Sequence, residues 1–181
     1  MVPLRRFTIH QPQSLAEACE MLAQHGENGR PYAGGTELLL AMKHNLLRYE
    51  HLVDVKVLPG LNQIENNDSH LVIGTTVTHR ALEKSALVRE RLPFFAEMES
   101  HVANVRVRAT GTLGGNLCFA EPHSDPATLL FALGARVRVQ GKTANRTIAM
   151  SDFLVGPYDT CLAADEILTA VVIPLPDKSV R

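Results

Sequence analysis

ATGTLGGNLCFAEPHSD, residues 109–125, places three glycines within the five positions Gly111 to Gly115 and closes on Pro122-His123-Ser124-Asp125. Gly111, Gly114 and Gly115 permit tight turns, and Thr110, Thr112 and Asn116 add short polar side chains. A second stretch, RPYAGGTELLLAMK (residues 30–43), has related chemistry. Arg30–Ala33 reads as extended, Gly34-Gly35-Thr36 as a loop, and a helix follows with Leu38, Leu39 and Met42 on one side. Strand, glycines and helix start form a phosphate-binding geometry. The first amides of a helix lack internal partners and carry partial positive charge. Glycine lets the backbone approach a ligand or adopt positive φ. Two such loops can hold the two phosphates of a dinucleotide between them with amides in place of lysines. Asp125 lies nine residues beyond Asn116, where a carboxylate can accept from ribose hydroxyls.

Each loop has a plainer reading, because a Gly-Gly pair between elements is most often a turn. Neither loop ends in the Gly-Lys-Ser/Thr of a Walker A motif. Neither fits GxGxxG with an acidic residue about twenty positions on, which disfavours a Rossmann nicotinamide site. His123-Ser124-Asp125 is no catalytic triad, since triads assemble from distant positions.

Length and composition narrow the classes. The chain has 181 residues, 45% of them hydrophobic, with a formal net charge of −1. That is enough for a substantial core, and it gives no broad attraction for nucleic acid or membrane. No apolar run approaches the ~20 residues needed to cross a bilayer. MVPLRRFTIH lacks the apolar core of a signal peptide, so a cytoplasmic location is expected. Cys19, Cys118 and Cys161 are far apart and odd in number, and read as small buried thiols. The eight histidines are scattered, with no HExxH, and no metal site is expected on this chain. Any redox cofactor here is therefore organic.

RRFTIH (5–10) alternates as a short strand, and Ser14 with Glu17 forms a capping box for a helix ended by Gly26. HLVDV (51–55) is a buried strand, and LPGLNQIENND (58–68) is turn-rich. HLVIGTTVT (70–78) is strand-like, with Thr78 capping a helix over 79–84. Phe94 to Val102 is helical, and Pro126 suits the first turn of a helix that Gly134 stops. ARVRVQG and RTIAM flank a GKTAN turn as a hairpin, and ADEILTAVVIP gives a strand ending at Pro174. The fold class is α+β. The expected divisions are a small N-terminal lobe, 1–58, a larger lobe, 59–176, and a tail, 177–181.

Gly35-Thr36-Glu37-Leu38, then Gly114-Gly115-Asn116 with Pro122-His123-Ser124-Asp125, then Glu166-Ile167-Leu168 leading to Ile173-Pro174, occur in that order across nearly the whole chain. This combination resembles the FAD-binding medium subunit of the molybdenum hydroxylases, the xanthine dehydrogenase, aldehyde oxidoreductase and carbon monoxide dehydrogenase group. The resemblance implies a two-lobed FAD fold like that of p-cresol methylhydroxylase and vanillyl-alcohol oxidase. It implies that Pro31, Tyr32, Ala33, Gly34, Gly35, Thr36, Glu37 and Leu38 wrap the FAD pyrophosphate from one side. Thr112, Leu113, Gly114, Gly115 and Asn116 would wrap it from the other. It places Val102 as an apolar contact, Asp125 as an acidic contact and Leu168 near the isoalloxazine. Val102 and Leu168 also suit plain core positions.

The same resemblance implies an electron carrier without an acid, base or nucleophile of its own. Electrons would arrive from [2Fe–2S] clusters on a small subunit, after oxidation at a molybdenum cofactor on a large subunit, and pass to an external acceptor within a hetero-oligomer. Family members run on past the Ile-Pro strand into a lysine-bearing strand and a C-terminal domain. The sequence here ends PLPDKSVR, so a shortened or partial version is expected. Two rivals remain at this level. One is a nucleotide-binding assembly module that docks partners without flavin turnover, and the other is a stand-alone flavin oxidase.

Overall fold

The structure, a computed structural model, describes residues 4–67 and 69–175. The expected tail at 177–181, the last residue of the 59–176 lobe and Asp68 of the turn-rich stretch lie outside these residues. In chain order the first elements are β1 (Thr8–His10), α1 (Leu15–His25), β2 (Gly29–Tyr32), α2 (Leu38–Lys43) and β3 (His51–Asp54). Then come β4 (Ile64–Asn66), β5 (His70–Gly74), α3 (His79–Lys84), α4 (Ala86–Arg91), α5 (Pro93–His101), α6 (Val105–Thr110), α7 (Leu113–Phe119) and α8 (Asp125–Ala132). The remainder is β6 (Arg136–Gln140), β7 (Asn145–Ala149), α9 (Met150–Phe153), β8 (Leu154–Gly156), β9 (Asp159–Thr160) and β10 (Ile167–Pro174).

The helices begin where short polar side chains cap them. Ser14 accepts from the Glu17 N–H, Thr78 from Ala81, Ser85 from Val88, Thr112 from Gly115 and Ser124 from Ala127. Asn104 accepts from both Arg106 and Val107. Each side chain supplies an acceptor to an otherwise orphaned helical N–H. The return arm of the Ser14 box differs from expectation, since Glu17 Oε2 accepts from the N–H of Gln13, at 2.6 Å. Gly26 ends α1 at a positive φ of 53°, and its N–H donates to Leu22.

β1, β3 and β2 make a parallel sheet in that order, with the connections through α1 and α2. Ala18, Cys19 and Leu22 of α1 bury against Val53, Val55, Leu58, Leu61 and Ile167. The second sheet is antiparallel, ordered β4-β5-β10-β6-β7. One face of it buries Leu71, Ile73, Val137, Val139, Val171 and Ile173 in a cluster that takes in Leu82, Phe95, Leu113, Leu117 and Leu130 from the helices. The first residues of β10 join the two groups. Ile167 packs with the α1 cluster and Leu168 with the larger one.

Several elements depart from the sequence reading. Residues 64–66 pair with β5 as a strand inside the stretch read as turn-rich. Residues 70–78 do not continue as one strand, because β5 ends at Gly74 and the Val77 N–H turns back to the Gly74 carbonyl, at 3.1 Å. Residues 113–119 form a helix, not a loop.

Candidate functional site

The two glycine stretches meet. A Cβ on Gly34 would strike the Thr110 carbonyl oxygen and come within 2.8 Å of the Gly111 Cα. A Cβ on Gly111 would lie 3.3 Å from Thr36 Oγ1. Only bare backbone allows this approach. Around the junction opens a cleft of about 460 Å³, within the size range of small-molecule sites.

The 34–38 stretch contributes donors. Among the described residues, none of the N–H groups of Gly34, Gly35, Thr36, Glu37 and Leu38 donates to a protein acceptor. Gly35 has φ +69°, a region that L side chains rarely adopt. The start of the loop is pinned from below. Lys56 Nζ donates to the Ala33 carbonyl at 2.9 Å, pairs with Asp54 at 3.1 Å and sits 3.7 Å from the centre of the Tyr32 ring. The Tyr32 ring lies under Gly35, where a Cβ would approach it to 2.5 Å.

The 111–116 stretch is different in kind. Among the described residues, five of its six amides have protein acceptors, and that of Thr112 has none. Leu113 N–H bonds the Val77 carbonyl and Gly114 N–H the Thr75 carbonyl, each at 3.0 Å. Gly115 N–H goes to Thr112 Oγ1, at 3.1 Å, and Asn116 N–H to the Thr112 carbonyl, at 2.9 Å. Gly114 and Gly115 are not turn glycines, since neither has a positive φ. Gly114 is bare because a Cβ there would fall on the Thr75 side chain. This stretch provides a tightly fitted wall and a helix start, with the Thr112 N–H left free of protein acceptors among the described residues.

Of the residues singled out from sequence, Pro31, Ala33, Gly34, Gly35, Thr36, Glu37, Leu38, Val102, Thr112, Gly114, Gly115, Asn116 and Leu168 line the cleft. Tyr32, Leu113 and Asp125 stand outside the lining. Tyr32 supports the first loop, Leu113 is fully buried in the core, and Asp125 is exposed in the first turn of α8. The Asn116 side chain is held by Ser124 Oγ, which donates to its Oδ1 at 2.5 Å.

Several lining residues and supports were not legible in sequence. Ala103 lines the cleft beside the expected Val102, and both are fixed by Arg108, whose guanidinium donates to their carbonyls at 3.1 and 3.0 Å. Arg108 is held in turn by Glu83, at 3.1 Å. Partial burial pushes the Glu83 carboxyl up, but hydrogen bonds from Arg80, Lys84 and Arg108 outweigh it and bring it down to about 2. His79, 3% exposed, reaches the lining from the first residue of α3, and its Nδ1 lies 2.7 Å from Oε2 of fully buried Glu99. Burial raises the Glu99 carboxyl and the His79 contact opposes it. Only the Thr78 cap hinted at this histidine. Cys118 also lines the cleft, with its thiol pushed up to about 11 by burial and opposed by Arg30. Such a thiol is inert at neutral pH.

A cleft with free backbone donors at one loop and apolar walls suits a cofactor with a pyrophosphate and an aromatic ring system. Comparison with known families gives the match. The family described as the FAD binding domain in molybdopterin dehydrogenase covers residues 5–176. The chain belongs to this family. Curated relatives of this FAD-binding domain include the carbon monoxide dehydrogenase medium chain of Afipia carboxidovorans, 36% identical over 170 residues and 94% of the chain. The nicotine 6-hydroxylase medium subunit of Paenarthrobacter nicotinovorans is 37% identical over 163 residues and 90% of the chain. The domain spans 59% and 57% of those two relatives' own lengths. A solved carbon monoxide dehydrogenase of Hydrogenophaga pseudoflava superposes with a TM-score of 0.93 at 34% identity, over 97% of this chain and 61% of that one. The mixed helix and strand architecture is thus shared with that enzyme's FAD-family chain. Among the described residues no helix is long and apolar enough to cross a membrane.

Proposed function

We propose that the cleft holds FAD and that the chain serves as the flavin-bearing electron relay of a molybdenum hydroxylase complex. The observation that carries this reading is the run of five unpartnered amides at 34–38 on the cleft wall. Backbone N–H groups converging on one point bind an anion without a lysine. In this reading Pro31, Ala33 and Gly34 to Leu38 hold the pyrophosphate, and Thr112, Gly114, Gly115 and Asn116 close the opposite wall. Tyr32 and Lys56 keep the loop in place from beneath. Val102 and Leu168 supply apolar contact to the ring system. Asp125, exposed in the first turn of α8, is the proposed acidic contact to the cofactor and also favours the helix start electrostatically.

The bound flavin supplies redox chemistry, accepting electrons one or two at a time. The chain's own residues bind it, orient it and keep water from part of it. Its three separated cysteines offer no cluster ligand set, so the donor arrives on another polypeptide. We assign that donor to a [2Fe–2S] small subunit beside a molybdenum large subunit, in a cytoplasmic hetero-oligomer. The fold is assigned to the p-cresol methylhydroxylase and vanillyl-alcohol oxidase type. Its small lobe ends near residue 58 and the larger runs over 59–176.

Native purification of the complex that contains this chain tests the reading. Denaturation should release FAD in step with the amount of the chain, and the preparation should contain iron, acid-labile sulfide and molybdenum. Release of FMN or of no flavin would favour an assembly module. A lone flavin-loaded monomer turning over a small substrate at a physiological rate would refute the relay.

A further inference from the structure

We propose that His10, His25 and His51 form a binding site for one divalent transition-metal ion of the zinc class. The three are far apart in sequence, and the parallel sheet gathers them. His10 ends β1, His25 is the last residue of α1, and His51 opens β3. One ring nitrogen from each lies within 4.8 Å of those of the other two. His10 Nε2 and His51 Nδ1 are 3.1 Å apart, and the rings of His25 and His51 stack at 3.7 Å between centroids. All three residues are half-buried.

Histidine in a purely structural role usually gives its ring N–H to a carbonyl or carboxylate. Here, among the described residues, the contact made by these ring nitrogens is with one another. Imidazole binds a metal through an unprotonated ring nitrogen.

The donor set fixes the class of ion. Three imidazoles without thiolate or carboxylate suit Zn2+, Cu2+, Ni2+ or Co2+, and do not suit Mg2+ or Ca2+. Tetrahedral Zn–N bonds of ~2.0–2.1 Å place ligand nitrogens about 3.3 Å apart. The His10–His51 pair already has that spacing, and His25 completes it by turning out of the stack. Half-burial leaves the fourth position to water. Gly29 lets the backbone pass close to the base of His25, since a Cβ there would come within 2.9 Å of the His25 Cβ. A bound ion would tie α1, β1 and β3 together beside the strand that leads into the amide loop.

The test is titration of the EDTA-treated chain with ZnCl2 by calorimetry, together with the visible spectrum of the Co2+ form. The expected result is one ion per chain at about micromolar Kd or tighter, a four-coordinate Co2+ spectrum and a raised Tm. His25→Asn and His10→Asn lie on different elements and should each weaken binding at least ~10-fold, with unchanged circular dichroism. His44→Asn, at an exposed position away from the cluster, should bind like the parent. Absence of saturable one-to-one binding would overturn the assignment. So would folded His25→Asn or His10→Asn variants that bind like the parent, or Co2+ that stays six-coordinate. The FAD content of the same preparations, measured separately, keeps this outcome distinct from the flavin reading.

Discussion

Gly34→Ala is the sharpest test of how the two glycine stretches meet. The added Cβ would lie 2.8 Å from the Gly111 Cα, whereas ordinary contact begins at 3.4 Å. The loops must therefore part by at least ~0.6 Å, more at the Thr110 carbonyl, and both obstacles are backbone with no rotamer to yield. The φ of Gly34 is not positive, so the cost is steric and not conformational. Overpacking of this kind costs about 1–3 kcal/mol of stability. If the 34–38 amides hold the FAD phosphate as proposed, moving them by that distance removes one charge-assisted hydrogen bond, about 1.5–3 kcal/mol, or ~10- to 150-fold in FAD Kd. Gly156→Ala is the control, because its Cβ meets only Asp159 Cβ at an ordinary 4.0 Å. Urea melts of both variants and flavin fluorescence titrations separate the two effects. A Gly34→Ala protein with the parent's urea midpoint and FAD affinity within twofold would refute the argument that the loops need bare backbone at their junction.

Ser124→Ala removes both the cap of α8 and the donor to Asn116, and should cost about 0.5–2 kcal/mol in thermal melts; an unchanged Tm would show the cap to be idle. Glu83→Gln reports through pH. The folded Glu83 carboxyl, at about 2, lies below its ordinary 4.5, so its contribution is present above pH 4.5 and fades as pH falls toward 2. The stability gap between parent and Glu83→Gln should therefore narrow through that window, and a gap independent of pH would refute the charge-based role.

What the sequence shows clearly is what local chemistry decides. Ser14, Thr78 and Gly134 mark helix ends because capping and positive φ are properties of one or two residues. The β6–β7 hairpin is legible because its strands alternate and its turn is adjacent. The 34–38 loop follows from strand, glycine and helix in series. The 113–119 helix is masked by its own glycines, of which Gly114 admits Thr75 from 39 positions upstream. β4 is three residues long and exists through pairing with β5, so the turn residues around it dominate its appearance. Asp125 is legible as an acidic residue opening a helix, and it stands in the first turn of α8. The Glu83–Arg108–Val102 chain and the histidine cluster join distant positions, and no window of sequence contains them.

The place of β10 in the larger sheet sets an order for biosynthesis. β5 and β6 are separated by a gap that only β10 fills, pairing with both. Until residues 167–174 have left the ribosome, both neighbours present bare hydrogen-bonding edges, and the face carrying Ile73 and Val137 lacks the strand between them. The capped helices can form early, because their contacts are local, whereas the parallel sheet must first bring Thr8 to His51. The second sheet closes only afterwards, in a single late step that zips two waiting edges at once. The same step seats Ile167 and Leu168 at the cleft, so the growing chain gains its large core and that wall of the cleft together.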